Sequence, residues 1–162
     1  MPGFTRTLFF RALTLGIATG LRSQIANGVL ALEHEESPRK AGWRRWPVFR
    51  SNWGRKALIM SSAGEIVVDK LPMAPSRLKP GPLAGRVAFG TLAGAALGTE
   101  GRGKGPVIRG AIFGTLGALI GNYGGYHARK AAVEATDLSD PAVAVAEDAI
   151  AITLATTAVR NR

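Results

Sequence analysis

The chain has 162 residues, the length of one domain, with 46% hydrophobic residues. Its mean hydropathy is +0.11, ordinary for a soluble protein and low for a membrane one. Without cysteine, disulfides and thiolate metal sites are excluded. Lys and Arg number 21 against 11 Asp and Glu, a net charge of +10 that calls for an anionic partner, either nucleic acid or lipid headgroups. Most of the 21 glycines fall inside the most apolar stretches, which sets the chain apart from a disordered one.

The first apolar segment, Thr7 to Leu32, is long enough to cross a bilayer, whose core takes about 20 helical residues. Arg11 and Arg22 interrupt it, and a signal peptide is the rival reading of its first half. Residues 33–55 are polar and irregular and hold Arg44, Arg45, Arg50 and Arg55 beside Trp43, Trp46 and Trp53. Tryptophan beside arginine suits a membrane–water boundary, so these three tryptophans are assigned to the interface and the loop to the cytoplasmic side. Single-stranded nucleic acid, stacking on the indoles, is the alternative. His34, among Glu33, Glu35 and Glu36, reads as an exposed loop residue.

A second helix is predicted from Lys56 to Leu71, ending before Pro72. Two further segments then repeat each other: Phe89-Gly90-Thr91-Leu92 returns as Phe113-Gly114-Thr115-Leu116, with Arg86 and Arg109 a few residues upstream. They form a predicted helical hairpin over 82–130, joined by the glycine-rich turn from Thr99 to Pro106. The last helix should start at Asp140-Pro141, a good capping pair, and run to about Val159.

Glycine spacing is the strongest signal. Gly90, Gly94 and Gly98 are four apart, as are Gly110 and Gly114, and again Gly117, Gly121 and Gly125. Each set makes a smooth stripe on one helix face. In water each such glycine costs about 0.5–1 kcal/mol relative to alanine. In lipid the helix is nearly obligatory, and the stripes become close-packing surfaces. The fold class expected is therefore all-α, an integral membrane bundle of four or five short helices around a glycine-zipper hairpin. Such surfaces also suit a homo-oligomer.

Within the apolar segments lie Arg22, Glu65, Asp69, Arg86, Glu147 and Asp148, with Arg77 close by. Intramembrane charges are costly and face protein or water. Glu65 and Asp69 share a helix face and need a cation, which Arg22, Arg77 or Arg86 can supply. Three roles are open for such a cluster: a proton or ion path, a divalent cation site of carboxylate oxygens, or a purely structural clamp. Catalytic patterns are missing: there is no nucleophile elbow, H-E-x-x-H or P-loop. His127, beside Arg129 and Lys130, reads as interfacial. No cofactor, metal or enzymatic activity is expected.

The ordered set Ala18-Thr19-Gly20-Leu21-Arg22-Ser23, Glu65, Asp69-Lys70-Leu71-Pro72, Pro75-Ser76-Arg77, the glycine hairpin and Glu147-Asp148 resembles the bacterial membrane proteins grouped as domain of unknown function family 4126. It covers most of the chain, leaving out residues 33–53. The resemblance implies a bacterial inner-membrane location and a shared importance of Arg22, Glu65, Asp69, Arg77, Glu147 and Asp148; it brings no substrate. The expectation is thus one multi-pass membrane domain, 1–162, whose polar cluster serves ion, proton or small-solute permeation. A structural or assembly role in the envelope is the alternative, and a soluble nucleic-acid binder a third; the lipid bilayer, not nucleic acid, is the partner expected.

Overall fold

The computed structural model describes residues 2–37, 41–68, 78–136 and 139–160. Among them every regular element is helical, as the all-α part of the expectation has it. The helices are α1 (Pro2–Leu21), α2 (Ile25–Leu32), α3 (Pro47–Arg50), α4 (Asn52–Val68), α5 (Pro80–Gly98), α6 (Lys104–Ala135) and α7 (Asp140–Arg160), with a 3₁₀ turn at Gly42–Arg45. Their number exceeds the expected four or five for two reasons: the first apolar segment is two helices, and the basic loop contains structure of its own.

The hairpin of α5 and α6 forms as the glycine pattern requires. A Cβ placed on Gly94 would overlap the Gly110 carbonyl and lie 2.9 Å from Gly114 Cα; one on Gly98 would lie 2.5 Å from Pro106 O. Gly90 and Gly114 stand in the same relation, so backbone meets backbone along the whole interface. The duplicated tetrapeptide is used symmetrically: the Thr91 and Thr115 hydroxyls hydrogen-bond at 2.5 Å, while Leu92 and Leu116 both point outward. The turn between them needs one left-handed residue, Gly103, at φ 84°.

A third helix joins this zipper. α1 packs more extensively on α6 than any other element does, through Gly16 and Gly20 facing Gly117 and Gly121. A Cβ on Gly20 would come within 2.7 Å of Gly121 Cα, and one on Gly117 within 2.9 Å of Gly16 Cα. Gly16 and Gly20 carry the same four-residue spacing as the other stripes and could have been read from it. α6 is therefore glycine-packed on two sides, with Gly114 shared between them. Gly125, the last of its predicted set, is half-buried.

Three expectations need correction. The segment from Thr7 to Leu32 is not one helix: it unwinds at Arg22–Gln24, between α1 and α2. Trp43 is fully buried, its ring edge-on to His34 at 5.9 Å and to Phe49 at 5.0 Å, with its backbone N–H donating to Thr99 Oγ1 at 2.9 Å. It is a core residue rather than an interfacial one. His34 is buried with it, not exposed. The aromatic ring area, with the Thr99 bond, is what draws this basic stretch onto the end of α5. Trp46 is half-buried and Trp53 is 82% exposed.

Among the described residues one helix, α7, is long and apolar enough to cross a membrane, with a mean hydropathy of 1.6; the apolar part of α1, Thr7–Leu21, is shorter. Within the most apolar stretch of α7, 39% is buried.

Candidate functional site

The polar residues of the fold gather where α1 unwinds. A broken helix leaves carbonyls free at the end of one half and N–H groups free at the start of the other. Both sets are satisfied here by charged side chains from other helices. Arg86, on α5, donates from Nη1 to the carbonyls of Gly20 and Leu21 at 2.9 and 2.8 Å. Glu65, on α4, accepts from the N–H groups of Ser23 and Gln24 at 2.8 and 2.7 Å and from the Ser23 hydroxyl at 2.6 Å. Cation meets helix C-terminus and anion meets helix N-terminus, each the favourable sense of the helix dipole. The two caps also face each other, with Arg86 Nη2 4.0 Å from Glu65 Oε1.

The unwound residues hold a second pair. Arg22 is 1% exposed, and its Nε donates to Asp148 Oδ1 on α7. Next to Asp148, Glu147 meets Arg129 of α6 at 3.6 Å, and Arg129 forks onto Asp140 with bonds of 2.9 and 2.6 Å. Thus α7 begins where expected, and its Asp140 also joins an ion pair. Of the predicted cluster, Arg22, Glu65, Arg86 and Asp148 meet at the helix break, while Glu147, beside Asp148 on α7, pairs with Arg129. Asp69 and Arg77 lie outside the described residues. Arg22 pairs with Asp148 rather than with Glu65, whose cation is Arg86.

Sequence reasoning missed a further polar group. Arg11, buried in the middle of α1, donates to Glu100 at 2.7 Å and, through Nε, to the Ala158 carbonyl at 2.7 Å near the end of α7. Glu33 accepts from Arg160 Nη2 at 2.7 Å. Arginine within an apolar helix was the available signal for Arg11. Glu100 gave none, since it lies in a turn that reads as solvent-facing.

Asn122 was also missed. It is 0% exposed on α6, beside Gly20, and neither its Oδ1 nor its Nδ2 has a partner. A Cβ on Gly20 would lie 2.6 Å from Asn122 N, so this residue sits where the α1–α6 zipper reaches the helix break. Among the described residues no three His, Asp or Glu side chains come together to hold a metal ion. Outside the site, Glu35 has its pKa lowered, first by the hydrogen bond from His34 at 3.1 Å and then by the charges of Arg55 and Arg44.

The chemistry of this site is that of compensated charge. The carboxylates Asp148, Glu65 and Glu147 each face a guanidinium, which offsets desolvation without requiring a net gain in stability. Searches against protein families, curated proteins and solved structures give no match to the chain.

Proposed function

We propose that the chain is a multi-pass protein of the bacterial inner membrane whose polar centre, at the break between α1 and α2, serves permeation of a small solute, ion or proton. One observation carries this reading: charged side chains are buried among the helices while a row of large apolar side chains faces outward. Arg11, Arg22, Arg86, Glu147 and Asp148 are buried, while Phe10, Ile108, Ile112, Leu116, Ile120 and Ile150 are exposed. Ile108, Ile112, Leu116 and Ile120 form a four-residue-spaced stripe along α6, with Ile120 55% exposed. Water would favour the reverse arrangement; lipid favours this one.

That α5 and α6 fall short of α7 in hydropathy has a physical reason. The index averages all faces of a helix, and theirs include glycine, Arg86 and Asn122, which are turned inward. Lipid meets the outer face alone. A helix broken in its middle, with charges at the break, is also the way many transporters place polar backbone at membrane depth.

The second reading is a structural or assembly protein, favoured by the pairing of Glu65, Asp148, Glu147 and Glu100 with arginines. Carbonate washing tests the membrane placement: the chain should stay in the pellet, and release into the wash would overturn it. Flux into vesicles containing the purified protein tests permeation. Wild type should exceed empty vesicles, with Glu65→Gln reduced. Absence of wild-type flux would leave the assembly reading.

A further inference from the structure

Among the described residues α4 packs chiefly on α2 and the short α3, which leaves its opposite side open. Trp53, Met60 and Val67 recur every seven residues, hence nearly in line along the helix, and are 82%, 69% and 65% exposed. Ala57 and Gly64 lie on the same line and are exposed too. Between Lys56 and Val67 the one charge on α4 is Glu65, which is turned inward to the N–H groups of Ser23 and Gln24. An uninterrupted apolar line on a helix surface calls for a partner. At 1.5 Å per residue this one is about 21 Å long, and one leaflet of a bilayer core is about 15 Å deep.

The two ends of the line differ in charge. The Val67 end reaches the helix break through Glu65. The Trp53 end adjoins α3 and the 3₁₀ turn, at the end of the bundle where Trp43 meets Thr99 and Arg160 meets Glu33. The described carboxylates there are Glu33, Glu35, Glu36 and Glu100, and each is engaged. Glu33 takes Arg160, on which Glu36 also acts, and Glu100 takes Arg11. Glu35 lies between Arg44 and Arg55, at 3.6 and 3.5 Å. Among the described residues no carboxylate pairs with Arg45, Arg50 or Lys56, which are all exposed. The Lys56 ammonium is 5.7 Å from the centre of the Trp53 ring, and Arg50 closes α3 just before α4 begins.

Exposed cations at the head of an apolar line complement a phospholipid with an anionic headgroup. We propose that the outer face of α4 seats such a lipid, with its phosphate on Lys56 and Arg50, its glycerol level with Trp53 and an acyl chain along Met60 and Val67. A second copy of the chain fits worse. Inserted copies share one orientation, so pairing along α4 would set two basic ends side by side. A nucleic acid would meet the cations and leave the apolar line uncovered. The assignment rests on the membrane placement and is independent of permeation.

Full-length protein in phosphatidylcholine vesicles, with equal mole fractions of brominated phosphatidylglycerol or brominated phosphatidylcholine, provides the test. Quenching of Trp53 is isolated by difference from a Trp53→Phe variant. The anionic lipid should quench it more strongly, and high salt should erase the difference. Lys56→Gln and Arg50→Gln should each lower the preference about fivefold, the worth of one cation at an anionic surface. Lys79→Gln, at the opposite end of α5 from Thr99, should leave it unchanged.

Equal quenching by the two lipids would overturn the proposal and leave the membrane placement intact. Silence to both lipids in protein that resists carbonate would also overturn it. Ready disulfide formation by Met60→Cys, in a chain with no cysteine of its own, would then show a second copy covering α4. Binding of labelled single-stranded DNA through Lys56 and Arg50, without a lipid preference, would assign the corner to nucleic acid. Release by carbonate would remove the membrane placement and this proposal together. The wild-type comparison of the two lipids decides the matter whether or not the charge variants fold.

Discussion

Two alanine substitutions three residues apart on α6 should act in opposite directions. Gly124 has nothing within 4 Å of an added Cβ, whereas a Cβ on Gly121 would overlap the Ile17 carbonyl oxygen and lie 2.9 Å from its carbon and 3.0 Å from Gly20 Cα. Backbone cannot rotate out of the way as a side chain can. α1 and α6 must therefore part by about 0.5 Å or more, forfeiting a quarter or so of the contact energy along the seam. Both variants gain the same intrinsic helix preference, about 0.5–1 kcal/mol. Their difference isolates the steric term, about 1–3 kcal/mol for overpacking a tight interface. For a chain of this length the gap corresponds to about 2–12 °C in Tm. Gly124→Ala should match or exceed wild type in a thermal melt in detergent, with Gly121→Ala below it. If the two melt together, α1 does not dock on α6 through glycine, and the three-helix centre described above is wrong.

Other outcomes follow from the same geometry. Arg22→Met should destabilise by about 3–5 kcal/mol, because Asp148 loses the guanidinium that offsets its burial; adding Asp148→Leu should restore much of that, a coupling that a double-mutant cycle in denaturant would measure. Additive effects would show that the pair does not interact. In single-tryptophan variants, Trp53 should be quenched by acrylamide or by brominated lipid and Trp43 should be protected, since one is 82% exposed and the other fully buried. The carboxyl of Glu35, followed by carbon NMR, should titrate below the usual glutamate range and move up in His34→Ala. A lowered folded pKa means that this small contribution is present above the unfolded glutamate pKa and fades as pH falls through the folded one.

Much of the helical layout can be read without coordinates because it is local. The spacing Gly90-Gly94-Gly98 places three residues on one face whatever surrounds them, and the Phe-Gly-Thr-Leu repeat pairs helices joined by a short turn. Asp140-Pro141 announces a helix start by chemistry confined to the first turn. The identity of the costly residues is equally local: a charge in an apolar run needs a partner. Which partner it takes is not. Arg22 and Asp148 are separated by 126 positions and Arg11 and Glu100 by 89, and a guanidinium is satisfied by any carboxylate within reach. Only packing decides which one arrives.

The break at Arg22–Gln24 belongs to the same category. No proline marks it, and residues 7–32 read as one apolar stretch. The helix can stop there because Arg86 and Glu65, brought in from α5 and α4, take the backbone groups that unwinding frees. Trp43 likewise becomes core because Thr99 and Phe49 meet it in space. Sequence periodicity determined where this chain could form helices and which faces could touch; long-range hydrogen bonding, which depends on distance in space and not along the chain, decided where a helix ends and how its charges are matched.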